Sequence, residues 1–230
     1  MTSAHTARSI LGTLGGLTAL ALLLAGLALV FLIAPTELTM GDAQRVLYVH
    51  VSVAWTALLG MLFTAAAGIG YLMRRNLDWD HRAQAAAEVG ALCCTLTLAT
   101  GSLWARAAWN VWWTWDPRLT SSLILWTIYC AYLLVRSGHE EPHRRARIAA
   151  VLAVVGLLDV PLVFMATRWF RTVHPVQPQM EPTMRWTLLA CVVGFTAFFA
   201  MLWNRRRQQL ELEQRVAELA RQLELDNEER

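Results

Sequence analysis

Residues 46–73 read VLYVHVSVAWTALLGMLFTAAAGIGYLM, and this stretch decides the class of fold. It contains no Asp, Glu, Lys or Arg. About 20 mainly apolar residues in a helix cross a hydrocarbon core of about 30 Å, so this stretch is long enough to span a bilayer. The whole chain has a similar character, because 56% of its 230 residues are hydrophobic and only 16% are charged. The sequence therefore predicts an integral membrane protein.

Five further apolar stretches lie on either side of this one. Together they predict six transmembrane helices, at residues 10–34, 46–73, 83–103, 119–135, 148–167 and 186–203. The first stretch follows a basic residue and resembles a secretory signal peptide, but its apolar run is longer than an ordinary signal sequence has. We therefore expect an uncleaved first helix and an all-α bundle of six membrane-spanning helices.

The distribution of basic residues predicts the orientation of this bundle. All twenty are arginines, and eleven flank one face of the predicted bundle whereas six flank the other. Cytoplasmic flanks carry the excess of positive charge, so the richer face is predicted to be cytoplasmic. Both termini then lie inside (N-in/C-in), and the loop between the third and fourth helices lies on the periplasmic side.

Composition also excludes several classes of function. The net charge of +3 is too small to indicate a nucleic-acid-binding protein. The four cysteines all fall within apolar stretches, and none forms a Cys-x-x-Cys pair or a Cys-x-x-Cys-His haem-attachment site. Neither a disulfide framework nor covalent haem attachment through cysteine is indicated.

A run of tryptophans lies in the predicted periplasmic loop, within residues 104–120, WARAAWNVWWTWDPRLT. An interfacial belt needs only one or two tryptophans at a helix end, so five in this run favour contact with a large flat ligand. These five are Trp104, Trp109, Trp112, Trp113 and Trp115.

The acid and the base that close this run have different predicted roles. Asp116 followed by Pro117 is typical of a helix start, with Asp as N-cap and Pro as the first helical residue. Asp116 is therefore predicted to be mainly structural. Arg118 is then the candidate partner for a carboxylate of the ligand.

Two histidines, His50 and His174, lie on the predicted outer side. Neutral imidazoles can occupy both axial positions of a haem iron, and indoles can pack against a porphyrin. Each histidine also has an ordinary interpretation, as a helix-end residue and as a loop residue before a proline. The other four, His5, His81, His139 and His143, are expected to be solvated on cytoplasmic segments.

Asp159 falls inside the fifth predicted span, two residues before Pro161. A carboxylate within a membrane is costly and is by default a functional candidate. A protonated or hydrogen-bonded Asp beside a proline kink would instead serve packing. Both interpretations stay open.

The end of the chain has a different pattern. Leu212, Val216, Leu219 and Leu223 recur at intervals of four, three and four among charged and amide residues. This spacing predicts an amphipathic cytoplasmic helix, either a partner-binding segment or a partly ordered tail. The sequence thus predicts a membrane domain at residues 1–203 and a charged tail at residues 204–230.

The tryptophan run resembles the WWD signature of the haem-handling membrane proteins of cytochrome c biogenesis (CcmC, CcmF and CcsA). The six-span plan, Tyr48-Val-His50-Val, and Asp159-Val-Pro161 followed by His174 are similar to the cytochrome c maturation protein C (CcmC) family. The resemblance covers about residues 40–203. Ala105 and Asn110 depart from it, because the family usually has glycines there.

The resemblance implies haem (iron protoporphyrin IX, haem b) as the bound group. It implies that His50 and His174 are the two axial ligands of the iron. It further implies that the rest of the haem-binding surface consists of Trp104, Trp109, Trp112, Trp113, Trp115, Asp116 and Arg118.

The function implied by the resemblance is noncovalent haem binding at the periplasmic face of the bacterial inner membrane. The haem would pass to a periplasmic haem chaperone, CcmE, beside the ABC-type subunits CcmA and CcmB and the small helical subunit CcmD. No catalytic residue of the chain's own is expected, although help with covalent attachment of haem to the chaperone is compatible with this role.

Three other functions are compatible with parts of the sequence. Larger proteins with the tryptophan motif are cytochrome c haem lyases, but this chain has fewer spans and fewer outward histidines. An electron-transfer cytochrome b usually ligates haem between mid-span histidines, which this sequence lacks. A haem transporter subunit is the third alternative, and it would need energy from a partner because no P-loop motif is present.

Overall fold

The computed structural model describes residues 2–38, 40–138, 141–170 and 180–228, with side chains from residue 12 onward. This part of the chain forms six α-helices and a short 3-10 turn at Asp42–Gln44. The α-helices are α1 Thr2–Leu32, α2 Arg45–Arg74, α3 Leu77–Trp109, α4 Pro117–Gly138, α5 Pro142–Trp169 and α6 Pro182–Glu228. Each is long and apolar enough to cross a membrane, which confirms the predicted all-α architecture.

Most of the helices run beyond the predicted spans. α3 begins at Leu77, after the N-cap residue Asn76, and ends at Trp109. Hydropathy indicates which part of a helix lies in hydrocarbon, whereas capping residues set where the helix begins and ends. The predicted span at residues 83–103 is therefore only the middle of α3.

Glycines allow two pairs of helices to approach closely. A Cβ atom on Gly60 of α2 would lie 2.8 Å from the Cα atom of Gly90 in α3. A Cβ atom on Gly194 of α6 would lie 2.8 Å from the carbonyl oxygen of Leu22 in α1. Small residues are the usual means of close helix contact in membranes. α2 also packs against α5 and α6 and lies at the centre of the bundle.

A buried salt bridge joins α3 to α4. The Arg136 guanidinium donates to both carboxylate oxygens of Asp80, each at 2.7 Å, and also to Gln84 Oε1 at 2.6 Å. Both charged side chains are almost fully buried. This network lies near the end of the bundle where α2 ends and α3 begins, which is opposite the end that carries His50.

His81 does not lie where the sequence predicted. It was expected on a solvated surface, but its exposed fraction is 7%. α3 starts before the predicted span, and α6 continues past the membrane so that Gln214 and Glu218 lie near His81 around the same cavities. The expectation was wrong because the sequence showed neither the earlier start of α3 nor the packing of the α6 tail beside it.

Asp159 is buried in α5, beside the main core. Its Oδ2 atom has no hydrogen-bond partner among the residues that the structure describes. Both interpretations of Asp159, functional and packing, stay predictions. Pro161 does lie inside α5, as the sequence indicated.

α6 continues without interruption from the sixth span into the tail and ends at Glu228. Leu210 is buried, but the four residues of the predicted apolar stripe are exposed, namely Leu212, Val216, Leu219 and Leu223. The stripe has no packing surface within the described residues. The division at residue 203 and the role of the tail stay predictions.

Candidate functional site

A cleft opens between α2, α3 and α4 at the end of the bundle where α2 begins. All the space between these helices, including the open mouth, is about 690 Å³. The space that the centre of a water molecule can occupy is only about 70 Å³, so the cleft is narrow. We call it the His50 cleft, and its lining includes His50, Ala54, Gly101, Ser102, Trp113, Arg118 and Ser122.

His50 lies on the second turn of α2, and α3 fixes its orientation. Its Nδ1 atom is 3.1 Å from Thr100 Oγ1, and its ring stacks on Trp104 with centroids 6.4 Å apart and planes 21° apart. A hydrogen bond at one ring nitrogen sets which nitrogen carries the proton and how the ring is turned. With Nδ1 bonded to Thr100, the other nitrogen, Nε2, is the one suited to bind a metal.

Asp116 caps α4, as predicted. Its Oδ1 atom accepts hydrogen bonds from the backbone N–H groups of Arg118 at 2.9 Å and Leu119 at 3.0 Å, and Pro117 is the first helical residue. These bonds satisfy two of the orphan N–H groups at the helix start. The cap places the Arg118 side chain on the first turn of α4, in the lining of the His50 cleft.

The Arg118 guanidinium is partly buried in this lining, and no described residue forms a hydrogen bond or ion pair with it. A guanidinium offers five N–H donors in a planar arrangement that suits a carboxylate. The geometry therefore agrees with the prediction that Arg118 can bind an anionic group of a ligand.

The five tryptophans divide into two groups. Trp104 and Trp109 lie on the last turns of α3, with ring centroids 4.9 Å apart, rather than in the loop. Trp113 and Trp115 form an edge-to-face pair in the loop, with centroids 5.7 Å apart. Trp112 lies beneath the Arg106 guanidinium and is exposed, as is Trp115.

Two indole N–H groups find no acceptor within the part of the chain that the structure describes. The Nε1 atoms of Trp104 and Trp113 are buried without a hydrogen-bond partner among the described residues. A buried donor without an acceptor is costly, so native proteins usually satisfy it. Trp113 lines the His50 cleft, whereas Trp104 is buried against the His50 ring.

Asn110 ends α3, after the second tryptophan of the run. Its φ is 60°, in the left-handed region, at the C-terminal end of α3. Asn tolerates this region better than other non-glycine residues, so this residue suits the backbone turn. Arg106 donates to the Asn110 carbonyl, and Ser102 donates to the Trp112 carbonyl, which fix the loop on α3.

The structure thus brings together four of the predicted site residues, His50, Trp104, Trp113 and Arg118. Asp116 caps the helix that carries Arg118, and Trp109 packs against Trp104. Trp112 and Trp115 lie on the outer surface. His174, the other predicted axial ligand, lies outside the described residues.

Sequence reasoning missed Thr100, Gly101 and Ser102. All three lie within one turn of Trp104 on α3 and contact His50 or the tryptophan loop. The available signal was helical spacing, because Gly101 is three residues before Trp104 and so lies on the same face. Because the span was predicted to end at residue 103, Trp104 was assigned to the loop, and its shared helix face with Gly101 was not recognised.

A family model and several similar proteins share one description. The family described as "Heme exporter protein C" matches residues 2–222. Similar proteins with that name include one from Bradyrhizobium diazoefficiens, 33% identical over 81% of this chain and 74% of its own length. Others come from Escherichia coli K12, 29% identical over 78% and 75%, and from Haemophilus influenzae, 30% identical over 80% and 78%.

Proposed function

The chain belongs to the heme exporter protein C (CcmC) family, multi-pass membrane proteins of haem handling in cytochrome c biogenesis, and from this we propose its specific role. It binds haem b noncovalently at the periplasmic face of the bacterial inner membrane and transfers it to the periplasmic chaperone CcmE. The observation that carries this proposal is the His50 cleft, where an oriented imidazole lies beside indoles and the Arg118 guanidinium.

The residues of the cleft fit a haem. His50 Nε2 would coordinate the iron from one side, and His174 is the proposed ligand on the other. The indole of Trp113, which lines the cleft, would contact the porphyrin, and Trp104, which is buried against the His50 ring, would support that ligand. Arg118 would bind a propionate. Asp116 was predicted to cap α4 and, by the resemblance, to belong to the haem-binding surface. The cap geometry supports a role in positioning Arg118 rather than direct contact with haem.

The narrow cleft favours partial burial of the haem. Because little of its volume is fully enclosed, a flat macrocycle would enter by an edge while the remainder stayed at the outer surface. Such exposure suits delivery to another protein rather than permanent storage. The proposed role is therefore binding and handover, with no catalytic residue in the chain.

Absorption spectroscopy of the detergent-purified full-length protein tests the haem ligands. We expect a bis-histidine haem spectrum that is lost in His50→Ala and in His174→Ala. His139→Ala, on a predicted cytoplasmic segment, is the matched control and should retain the spectrum. Full haem loading in the His50→Ala/His174→Ala double variant would refute the ligand assignment.

The transfer step needs a separate test. Haem-loaded protein mixed with apo-CcmE in detergent should lose its haem to the chaperone, whereas the same mixture with an unrelated periplasmic protein should not. Retention of haem after incubation with CcmE, CcmA, CcmB and CcmD together would contradict the proposed handover.

A further inference from the structure

A cationic cluster lies at the end of the bundle opposite the His50 cleft, where the chain turns from α2 into α3. Arg74 is the last residue of α2, Arg75 is its C-cap in the left-handed conformation, and Arg82 lies on the second turn of α3. The Cζ atoms of Arg74 and Arg82 lie 4.9 Å and 4.7 Å from the centroid of the Trp79 ring. We call these three residues, Arg74, Trp79 and Arg82, the Trp79 platform.

The Trp79 indole is packed closely against α2. A Cβ atom at Gly70 would lie 2.6 Å from Trp79 Cε3, so the glycine leaves the room that the ring needs. Stacking on the indole occupies the face of a guanidinium and leaves the N–H donors in its plane available. Neither guanidinium of the platform forms a hydrogen bond or an ion pair with a residue that the structure describes.

Positive charge exceeds negative charge around the platform. Residues 73–82 contain three arginines and two aspartates. Asp80 is buried in its salt bridge with Arg136 and so does not balance the platform. Asp78 is exposed, and its Oδ2 atom accepts a hydrogen bond from the Asn76 side chain at 3.3 Å. Three arginines therefore stand against one available carboxylate.

The carboxylates of the α6 tail do not cancel this excess. Glu211 and Glu218 line a cavity that Arg82 also borders. Two arginines of the tail, Arg207 and Arg215, line the same cavity, and Arg207 is paired with Glu211 at 3.2 Å. The charges of the tail are thus balanced within α6.

The platform lies at the level of the membrane surface. Trp79 is four residues before the predicted span at residues 83–103, and tryptophan is enriched at membrane interfaces. Trp203, the last residue of the predicted span at residues 186–203, donates its indole N–H to the carbonyl of Arg82 at 3.0 Å. Two indoles from different helices therefore mark the same depth.

An exposed apolar face of α2 continues from the platform into the membrane. Ala66 and Leu62 lie four and eight residues before Gly70, which places them on the same helix face. Both are exposed. This face offers a surface for acyl chains directly beside a pair of guanidinium groups.

We propose that the Trp79 platform binds the headgroup phosphate of an anionic phospholipid, whose acyl chains lie along Ala66 and Leu62. Guanidinium groups bind phosphate oxygens through paired N–H donors. The predicted orientation places the platform in the cytoplasmic leaflet, where anionic lipids are attracted to basic groups beside membrane helices. The proposal does not depend on haem binding at the other end of the bundle.

Native mass spectrometry of the delipidated full-length protein in detergent, titrated with phosphatidylglycerol or phosphatidylcholine, tests this inference. We expect the wild type to bind phosphatidylglycerol at least about tenfold more tightly. Arg74→Gln/Arg82→Gln should lose this preference. Arg215→Gln/Arg221→Gln removes the same charge from exposed positions of the tail and should keep it.

Equal binding of the two lipids by the wild type would overturn the proposal. A similar loss in the tail control would also overturn it, because general attraction between charges would then explain the preference. Soluble glycerol 3-phosphate at an equal concentration should not displace the lipid, and displacement would show that the acyl chains contribute nothing.

Equal melting temperatures in lipid-free detergent show that the variants are folded. If Arg74→Gln/Arg82→Gln melts early, Arg74→Lys/Arg82→Lys takes its place, because it keeps both charges. Lysine lacks the planar group that stacks on Trp79, so this variant should retain only part of the preference. A full preference in the lysine variant would refute the role of the stacked guanidinium groups.

Discussion

The His50 ring lies directly against Gly101: a Cβ atom at residue 101 would come within 2.8 Å of His50 Cε1. Thr100 holds the same ring at Nδ1, and Trp104 stacks on its face. One helical turn of α3 therefore fixes the height, rotation and tilt of an imidazole that belongs to α2.

Gly101→Ala should displace this imidazole. The added methyl group cannot fit beside Cε1, although alanine is the better helix former by about 1 kcal/mol. We expect haem binding to weaken while thermal stability in detergent is retained. Gly15→Ala in α1, where a Cβ atom would meet nothing within 4 Å, is the control and should leave the haem spectrum unchanged. Equal loss in both variants would contradict the role of Gly101.

Arg118→Gln should weaken haem affinity by about 10-fold to 100-fold, because a charge-assisted bond to a propionate contributes about 1.5–3 kcal/mol. Equilibrium titration with haemin measures this change. The control is Arg106→Gln, whose guanidinium already donates to Asn110 and lies over exposed Trp112. A larger effect at Arg106 than at Arg118 would show that the propionate partner is misassigned.

Asp116→Ala should lower the free energy of unfolding by about 1 kcal/mol, because the start of α4 loses its cap. Asp116→Asn keeps an oxygen acceptor and should lie within a few tenths of a kcal/mol of the wild type. Thermal unfolding in detergent, followed by tryptophan fluorescence, compares the variants. If Asn abolishes haem binding as fully as Ala does, then the carboxylate contacts the ligand directly.

Asp80→Asn should lower the free energy of unfolding by about 3–5 kcal/mol, since it leaves the buried Arg136 guanidinium without its counter-charge. The Asp80→Leu/Arg136→Met double variant should recover most of that loss. Asp42→Asn removes an exposed partner of Arg45 and should cost less than about 1 kcal/mol. Similar losses for the two single variants would show that burial of the Asp80 pair is unimportant.

The start of α5 should loosen at acidic pH. Glu141 accepts hydrogen bonds from the backbone N–H groups of His143 and Arg144, and the bond from His143 contributes most to lowering the pKa of its carboxyl. Its stabilising effect is thus complete above the ordinary glutamate pKa and is lost as pH falls through the lower folded value. Amide hydrogen exchange in the first turn should show this dependence, and Glu141→Gln should abolish it.

The sequence predicted the number of helices and the cap at Asp116 because both depend on local patterns, namely an apolar run and an Asp-Pro pair. It did not predict that Trp104 and Trp109 lie on α3, since amphipathic helix ends fall outside a hydropathy window. It placed His81 in solvent because burial there depends on α6, which is distant in sequence. Contacts between helices carry no signal in a single sequence.

The salt bridge between Asp80 and Arg136 limits how far α3 and α4 can separate around the His50 cleft. α3 and α4 are connected by the short loop at residues 110–116 beside the cleft, and the buried charge pair clamps them at the far end. A hydrogen bond from Trp126 to Thr95 adds a third link between the two helices. The two helices are thus joined at both ends and between them, and these links oppose their separation on either side of the cleft.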